Sequence, residues 1–314
     1  MAKILINDGV AAIGEEMLIK AGHEVTNTHI PQDDLNHGLQ EFDAICVRSA
    51  TKVRQELIDK CPNLKAICRG GVGMDNIDVD YARSKGIAVI NTPAASSRSV
   101  AELAFAHLFS IARSLYLSNR AMPTKGDSEF KSLKKSYSKG FELYGKTLGV
   151  IGLGRIGRET AQLGLSVGMD ILGVDPFISE AELTLGGPNV NMKHTIKSIT
   201  MDEMLQQADV ITLHIPFTGS AVLGKGEFAK MKDGAVLINA SRGGTVDEDA
   251  MLEALNSGKL AAAGIDVFIN EPTPRADILN HPKVSLTPHT GASTLEAQQK
   301  IGIELAEKLI EALS

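Results

Sequence analysis

A glycine-rich turn at residues 152–157 is the segment whose residue types and spacing point most directly to chemistry. It reads Gly152-Leu-Gly-Arg-Ile-Gly157 and follows the apolar run 147–151. Between a strand and a helix, the first glycine permits a tight turn and the second lets the backbone approach a pyrophosphate. The third lets the helix pack on the strand. Because a helix start also offers N–H groups and a positive dipole to an anion, the turn predicts a dinucleotide site.

An acidic residue ends the next apolar run. Asp175 follows residues 170–174 and precedes Pro176. A carboxylate at this position accepts hydrogen bonds from the adenosine ribose and repels a 2′-phosphate, which favours NAD over NADP. Two alternatives remain: an ordinary turn residue before proline, and a methyltransferase with a similar glycine-rich turn. The third glycine and the helical pattern after it favour the dinucleotide.

Short apolar runs alternate with helical patterns in two series along the chain. The predicted strands are 3–6, 25–28, 44–47, 66–68 and 88–90, then 147–151, 170–174, 210–213, 235–238, 262–265 and 284–286. Such alternation is typical of a mostly parallel, doubly wound sheet, and two series imply two sheets. The sequence also predicts one long apolar helix over 97–118, a polar arm or lid over 119–145, and a last helix over 293–313.

Composition excludes several classes of protein. The 314 residues, 43% hydrophobic and 22% charged, suit a globular protein of two domains. A net charge of −6 without a long basic block argues against a nucleic-acid partner. No apolar run has membrane-spanning length, and the N-terminus enters a strand without a secretory signal. The three cysteines, Cys46, Cys61 and Cys68, lack metal-ligand spacing, so we expect free thiols in a reducing cytoplasm and no metal.

Later motifs identify the chain as similar to a known family. They are, in order, His214-Ile-Pro216, Asn239-Ala-Ser-Arg242-Gly-Gly, Gly264-Ile-Asp266-Val-Phe, Asn270-Glu-Pro272 and Pro288-His289-Thr-Gly-Ala-Ser. With the glycine-rich turn they resemble the D-isomer-specific 2-hydroxyacid dehydrogenases over almost the whole chain. The resemblance implies an α/β fold of two doubly wound parallel-sheet domains. A Rossmann dinucleotide-binding domain with a dimerisation arm, 95–288, would be inserted into a flavodoxin-like substrate domain, 1–94 plus 289–314.

The resemblance also implies that Arg242, Glu271 and His289 are the catalytic residues. Oxidation of an alcohol by hydride transfer needs a base for the hydroxyl proton, and an imidazole titrates near neutral pH. Glu271 would hydrogen-bond the other ring nitrogen, and the planar fork of Arg242 would grip a substrate carboxylate. Alternatively, Glu271 is a loop acid and Arg242 caps a helix or pairs with Asp247.

The cofactor implied by the resemblance is NAD. The residues assigned to it are Gly152, Gly154, Arg155, Ile156, Gly157, Asp175, Pro176, His214, Ile215, Pro216, Ala240, Ser241, Asp266, Gly291 and Ala292. His214 is assigned to the cofactor rather than to proton transfer, because the Ile-Pro pair after it resembles the family's cofactor-side strand end.

Within the family, segments 47–53, 69–76 and 91–97 most resemble members that oxidise 3-phospho-D-glycerate. The residues assigned to substrate are Arg48, Ser49, Arg69, Gly70, Gly71 and Val72. A phosphorylated substrate needs cationic donors, and both arginines end predicted strands, while glycine-rich backbone adds N–H donors. Alternatively, the arginines only solvate strand ends. The implied reaction yields 3-phosphooxypyruvate, the entry to phosphorylated L-serine biosynthesis, in a homodimer.

Two rival functions remain open at this point. One is a glyoxylate or hydroxypyruvate reductase of the same family, and the other is a non-enzymatic, NAD-sensing protein similar to the family's corepressors. The chain ends at residue 314, so we expect no C-terminal regulatory domain and no feedback by serine. The tryptophan usual in the family before Gly145 is missing, with Tyr137 nearby, which leaves the details of the arm open.

Overall fold

The structure is a computed structural model that describes residues 1–186 and 192–314. Contacts between Cα atoms divide the chain into two compact units. Unit 1 comprises Met1–Ser97 and Ala292–Ser314, and unit 2 comprises Arg98–Gly291. The resemblance implies boundaries at 94/95 and 288/289. Residues 289–291 group with unit 2 because the N–H groups of Thr290 and Gly291 donate to the carboxylate of Asp266.

The elements are numbered in chain order. The strands are β1 Lys3–Ile6, β2 Glu24–Asn27, β3 Ala44–Val47, β4 Ala66–Arg69, β5 Ala88–Asn91, β6 Thr147–Ile151, β7 Asp170–Val174, β8 Glu180–Leu185, β9 Met192–Lys197, β10 Val210–Leu213, β11 Ala235–Asn239, β12 Leu260–Ile265 and β13 Val284–Leu286. The helices are α1 Ala12–Lys20, α2 Leu35–Gly38, α3 Gln55–Lys60, α4 Val79–Ser84, α5 Ser97–Ala112, α6 Leu115–Lys125, α7 Phe130–Ser136, α8 Arg155–Ser166, α9 Met201–Gln207, α10 Lys225–Lys230, α11 Glu248–Ser257, α12 Ala276–Leu279 and α13 Leu295–Leu313.

Unit 1 is built on a five-stranded parallel sheet of order β2-β1-β3-β4-β5. This is the flavodoxin-like order, and it confirms the predicted fold class. Every residue of β3 is buried, as expected for a central strand covered on both faces. On one face α1 and α13 pack closely, since a Cβ on Gly14 would lie 2.6 Å from the carbonyl oxygen of Gly302.

Unit 2 contains a six-stranded parallel sheet of order β13-β12-β11-β10-β6-β7. Apolar clusters cover both of its faces, as a doubly wound sheet requires. Since the sheet is parallel, the carboxyl ends of β11, β12 and β13 lie side by side at one edge.

The predicted single helix over 97–118 was wrong. The helix ends at Ala112, Ser114 adopts a left-handed φ of 50°, and a new helix begins at Leu115. The polar arm predicted over 119–145 contains the rest of α6 and all of α7. Within the described residues no single helix is long and apolar enough to cross a membrane; α5 and α6 pass that test only as a pair, bent by 59°.

An antiparallel pair of strands, β8 and β9, was not predicted. Its first strand alternates buried Ala181 and Leu183 with exposed Glu180 and Glu182. The two apolar side chains join the core cluster that also contains Leu153 of the glycine-rich turn. The alternation of polar and apolar residues over 180–185 is the period-two pattern of a half-buried strand, so this strand could have been predicted from the sequence.

Candidate active site

The carboxyl ends of three neighbouring parallel strands carry the predicted acid-base residues. Arg242 follows β11, Glu271 follows β12 and His289 follows β13. Ligands of open α/β sheets bind at this edge. The structure therefore brings all three residues to the same edge of the unit 2 sheet.

His289 and Glu271 form a hydrogen-bonded pair. Nδ1 of His289 lies 2.8 Å from Oε2 of Glu271, whose Oε1 accepts the N–H of Phe268 at 2.9 Å. Burial would raise the pKa of Glu271, but these two hydrogen bonds and the charge of Arg242 lower it overall. An ionised carboxylate only accepts, so Nδ1 carries the proton and Nε2 of the neutral ring keeps its lone pair. The ring is 41% exposed, so Nε2 can receive a proton from a ligand.

The backbone at His289 is held in an unusual conformation. Its φ is +53°, a left-handed geometry that costs a non-glycine residue about 1–2 kcal/mol. Asp266 holds the chain there, because its carboxylate accepts the N–H of Thr290 at 2.8 Å and that of Gly291 at 3.0 Å. The hydroxyl of Thr287 donates to the same carboxylate at 2.6 Å.

Asp266, which the resemblance assigns to the cofactor, is bonded to the loop that carries His289. The residue is only 1% exposed, and both of its carboxylate oxygens face residues 287–291. In the structure, Asp266 holds the loop that carries His289.

The turn that carries Arg242 is fixed by Asn239 and Thr245, which are not among the predicted site residues, and by Ser241, which is. The amide oxygen of Asn239 accepts both the hydroxyl of Ser241 at 2.7 Å and its N–H at 3.1 Å. The hydroxyl of Thr245 donates to the carbonyl of Arg242 at 2.7 Å. Short polar side chains that bond nearby backbone are a recognisable turn signal. Ser241 and Ala240, both assigned to the cofactor, are buried.

Gly243 lets this turn approach the loop that leads to Glu271. A Cβ at Gly243 would lie 2.0 Å from the carbonyl oxygen of Phe268, closer than any side chain permits. The guanidinium Nη1 of Arg242 donates to the carbonyl of Ser241 at 2.6 Å, which orients the side chain at the sheet edge.

The glycine-rich turn has the geometry that a dinucleotide needs. Gly152 has a φ of +93°, and a Cβ there would lie 2.5 Å from the carbonyl oxygen of His214. A Cβ on Gly157 would lie 1.8 Å from the carbonyl oxygen of Gly152. At Gly154, by contrast, a Cβ would meet no described atom within 4 Å, so the backbone is open there to a phosphate.

The start of α8 supplies the donors for such a phosphate. Helix α8 begins at Arg155, and no side chain of the described residues caps its first N–H groups. Gly154 and Arg155 are both exposed, and Ile156 is half-buried. The turn and helix therefore fit the pyrophosphate of a dinucleotide.

Asp175 lies at the end of β7, hydrogen-bonded to the glycine-rich turn. Its Oδ2 accepts the N–H of Leu153 at 2.8 Å, while Oδ1 accepts those of Phe177 at 2.8 Å and Ile178 at 3.1 Å. A carboxylate offers about four acceptor sites, so Oδ2 retains one for a ribose hydroxyl. Pro176 next to it is exposed.

His214 lies beside the glycine-rich turn and is unsuited to proton transfer. Burial lowers the pKa of His214 to about 3, so the ring stays neutral at physiological pH. Its Nε2 bonds the hydroxyl of Thr212 at 3.0 Å, whereas its buried Nδ1 has no hydrogen-bond partner among the described residues. An orphaned buried nitrogen at this place suits a site that a polar ligand completes. Ile215 is half-buried and Pro216 exposed on the same segment.

The predicted substrate residues lie on two adjacent strand ends of unit 1. Arg48 follows β3, and Arg69 is the last residue of β4, paired in register with Val47. A Cβ on Gly71, at φ +143°, would lie 2.2 Å from Nη1 of Arg69, so this glycine makes room for the guanidinium. Gly70 is buried and Val72 half-buried.

The loop from Arg48 through the exposed Ser49 to Thr51 is held by buried polar groups absent from the predictions. Asp8 Oδ2 accepts the N–H of Arg48 at 2.7 Å and that of Thr51 at 3.1 Å. The Asn76 amide donates to the carbonyl of Arg48 at 2.7 Å. The Arg48 guanidinium itself donates to the amide oxygen of Gln298, whose amide nitrogen donates to the carbonyl of Ala292 at 2.8 Å.

Comparison with known proteins agrees with this geometry. The family model for the NAD-binding domain of D-isomer specific 2-hydroxyacid dehydrogenases matches residues 105–291. A hydroxypyruvate reductase of Thermotoga maritima is 42% identical, over 99% of this chain and 98% of that protein. The chain belongs to the D-isomer-specific 2-hydroxyacid dehydrogenase family.

Other members of the family are also similar to the chain. A D-3-phosphoglycerate dehydrogenase of Methanocaldococcus jannaschii is 40% identical over 100% of this chain, which spans 58% of that protein's length. The crystal structure of NAD⁺-bound 3-phosphoglycerate dehydrogenase from Entamoeba histolytica has a TM-score of 0.77 at 26% identity, over 99% of this chain and 94% of that one. These findings confirm the predicted α/β fold, the enzyme class and NAD as the cofactor.

NAD, when bound, accepts a hydride from the carbon that bears the substrate hydroxyl. The glycine-rich turn and the start of α8 would hold its pyrophosphate, and Asp175 its adenosine ribose. Nε2 of His289 would take the hydroxyl proton, and the resulting imidazolium would remain bonded to the Glu271 carboxylate through Nδ1. Arg242 presents a planar cation at the same edge, suited to a 2-hydroxy acid's carboxylate.

Replacement of Asp175 by alanine is expected to reduce the preference for NAD over NADP. Loss of the charged hydrogen-bond acceptor weakens NAD binding by about 1.5–3 kcal/mol. The same substitution removes the carboxylate that repels the 2′-phosphate of NADP, so NADP binding does not weaken in the same way. The measurement is kcat/KM for both cofactors in the wild type, Asp175→Ala and Asp175→Asn. The asparagine control keeps an acceptor for the N–H of Leu153. An unchanged NAD/NADP ratio in Asp175→Ala would contradict the ribose role.

Proposed function

We propose that the protein oxidises 3-phospho-D-glycerate to 3-phosphooxypyruvate with NAD, as the first step of phosphorylated L-serine biosynthesis. The observation that carries the proposal is the guanidinium of Arg48 in unit 1. It is half-buried, its hydrogen-bond acceptor is the neutral amide of Gln298, and it forms no ion pair with any described carboxylate.

A half-buried cation without a carboxylate partner is suited to an anionic ligand. Burial lowers the pKa of Arg48, although the nearby charge of Asp8 raises it, and an arginine remains charged in either case. Arg69 ends the adjacent strand, and the two guanidinium groups supply the donors that a phosphate requires.

Replacement of Arg48 by alanine is expected to weaken the binding of the phosphorylated substrate by about 1.5–3 kcal/mol, since a hydrogen bond between charged groups is lost. The measurement is KM for 3-phospho-D-glycerate and for unphosphorylated D-glycerate in the same variant. We expect the KM for the phosphorylated acid to rise and that for D-glycerate to change little.

Arg54→Ala is the matched control for this prediction. Arg54 lies in unit 1, is exposed, and pairs with Asp78 at 2.8 Å. We expect both KM values of this variant to equal those of the wild type. If Arg48→Ala leaves the KM for 3-phospho-D-glycerate unchanged, the phosphate binds elsewhere or the substrate has none.

The second candidate is reduction of hydroxypyruvate or glyoxylate. It is supported by the hydroxypyruvate reductase relative, which matches the chain over nearly the full length of both proteins. An NADH-absorbance assay with 3-phosphooxypyruvate, hydroxypyruvate and glyoxylate separates the two candidates. A higher kcat/KM for the unphosphorylated acids would establish the second.

We place this reaction in a cytoplasmic homodimer as part of the same proposal. The three cysteines are free and buried, which suits a reducing compartment. Large apolar side chains are exposed along the segment of α5 to α7 and the chain after it, as on a surface that a second subunit covers. They are Phe109, Leu115, Met122, Phe130 and Tyr144.

A further inference from the structure

His107 is a buried, ionisable residue to which neither hydride transfer nor ligand binding gives a role. It lies on α5, is 3% exposed, and packs against β12. A Cβ on Gly264 would lie 2.7 Å from the Cβ of His107, so a glycine in β12 makes room for the imidazole. Burial lowers the pKa of His107, and the negative charge of Asp266 offsets only part of this effect.

Both ring nitrogens of His107 have hydroxyl partners. Nδ1 lies 2.9 Å from Oγ of Ser285, and Nε2 lies 2.8 Å from Oγ1 of Thr287. Ser285 belongs to β13 and Thr287 follows it, so both precede His289 on the same short segment.

The hydrogen bonds have a direction that the carboxylate of Asp266 sets. An ionised carboxylate only accepts, so the hydroxyl of Thr287 donates to it at 2.6 Å. The oxygen of Thr287 is then available to accept Nε2–H of His107, and Nδ1 accepts the hydroxyl of Ser285. The neutral tautomer with its proton on Nε2 therefore satisfies every donor and acceptor in this series of hydrogen bonds.

The chain of hydrogen bonds ends at the backbone that flanks His289. The same carboxylate of Asp266 accepts the N–H groups of Thr290 and Gly291, the two residues after His289. His289 has a left-handed φ of +53°, so the loop needs an external constraint to keep its geometry.

We propose that His107 is a positioning residue for His289, acting through Thr287 and Asp266. His107 fixes the hydroxyl of Thr287, and this hydroxyl fixes the carboxylate of Asp266. The carboxylate in turn holds the loop that places His289 against Glu271. The inference rests on the proposed function only in that His289 is the base, and it does not depend on which 2-hydroxy acid is the substrate.

The test begins with His107→Leu, which keeps an apolar volume but removes both hydrogen bonds. We expect kcat to fall by about 10²-fold, the cost of a displacement near 1 Å in an active site, with little change in the Kd for NADH or in KM. The oxo acid used is whichever one the wild type reduces best. In a crystal structure of the variant, we expect the distance from Nδ1 of His289 to Oε2 of Glu271 to exceed the 2.8 Å of the wild type.

Four further variants separate positioning from a general effect on the core. His107→Gln places an amide N–H near the position of Nε2 and is expected to recover most of kcat. Thr287→Val breaks the next link and remains informative if His107→Leu does not fold. The double variant His107→Leu/Thr287→Val should lose no more kcat than the worse of the two single variants, because the effects of residues in one hydrogen-bonded network do not add. Phe105→Leu changes a buried packing residue of the same helix and is expected to lower Tm without lowering kcat.

Other outcomes overturn the proposal. It fails if His107→Leu retains the wild-type kcat, or if the His289–Glu271 contact keeps its length in that variant. Additive losses for His107 and Thr287 also contradict it. If the wild type reduces no oxo acid, the proposed function has failed, and the crystallographic distance still decides the role of His107.

Discussion

Replacement of His289 by alanine is expected to lower kcat by about 10²–10⁴, the usual contribution of a positioned general base. The geometry supports this magnitude because Nδ1 of His289 is bonded to an ionised Glu271, which leaves Nε2 as the proton acceptor. NADH should bind the variant as tightly as the wild type, since the glycine-rich turn belongs to other strands. The measurement is kcat by NADH absorbance together with the Kd for NADH by fluorescence.

Glu271→Gln is the matched variant for this prediction. Glutamine still accepts a hydrogen bond from Nδ1, but it lacks the charge that stabilises the imidazolium. We therefore expect Glu271→Gln to lose less kcat than His289→Ala. The double variant should have the same kcat as His289→Ala alone, because both residues act in one hydrogen-bonded pair. If His289→Ala retains kcat within a few-fold of the wild type, another group accepts the proton and the assignment fails.

Replacement of Arg242 by alanine is expected to lower kcat/KM by about 10²–10³, the range found when one preorganised electrostatic donor is removed. Arg242 lies at the same sheet edge as Glu271, close enough for its charge to lower the pKa of that carboxyl. A planar guanidinium can donate two parallel hydrogen bonds to a carboxylate, which fixes the orientation of a 2-hydroxy acid.

Arg242→Lys separates charge from geometry in this prediction. Lysine retains the positive charge but not the planar fork, so we expect it to recover only a small part of kcat/KM. The assay also compares a 2-oxo acid with the matching 2-oxo amide, which lacks the carboxylate. Arg242→Ala should reduce the difference between these two substrates. Equal discrimination by the variant and the wild type would show that Arg242 does not bind the carboxylate.

Much of the fold could be predicted from the sequence because its signals are local. Strands β3 and β11 are buried on every residue, and residues 44–47 and 235–238 read as continuous apolar runs. The glycine-rich turn could be predicted for a similar reason. A Cβ on Gly152 or Gly157 would lie too close to backbone atoms, so the turn requires glycine at both positions and the sequence shows it.

The arm was mispredicted because its helices have weak hydrophobic patterns. Helix α6 has no buried residue and α7 buries only Leu133, so apolar periodicity does not reveal them. The break between α5 and α6 depends on the left-handed φ of Ser114, a conformation that no local sequence signal required.

The parts of the site that could not be predicted depend on contacts between distant segments. Asp266 and Thr287 meet at the ends of adjacent strands, and His107 reaches Thr287 from a helix 180 residues earlier in the chain. Similarly, the contact between Arg48 and Gln298 joins residues 250 positions apart. A motif shows which residue types are present, but only the folded chain shows which of their atoms meet.

The central claim is that the protein removes the hydride from C2 of a D-2-hydroxy acid and transfers it to NAD. The most direct test is incubation with NAD and either 3-phospho-D-[2-²H]glycerate or D-[2-²H]glycerate, followed by mass spectrometry of the NADH formed. We expect every NADH to carry one deuterium, and no NADH from the L-isomers. NADH without the label, or equal turnover of the L-isomers, would contradict the claim.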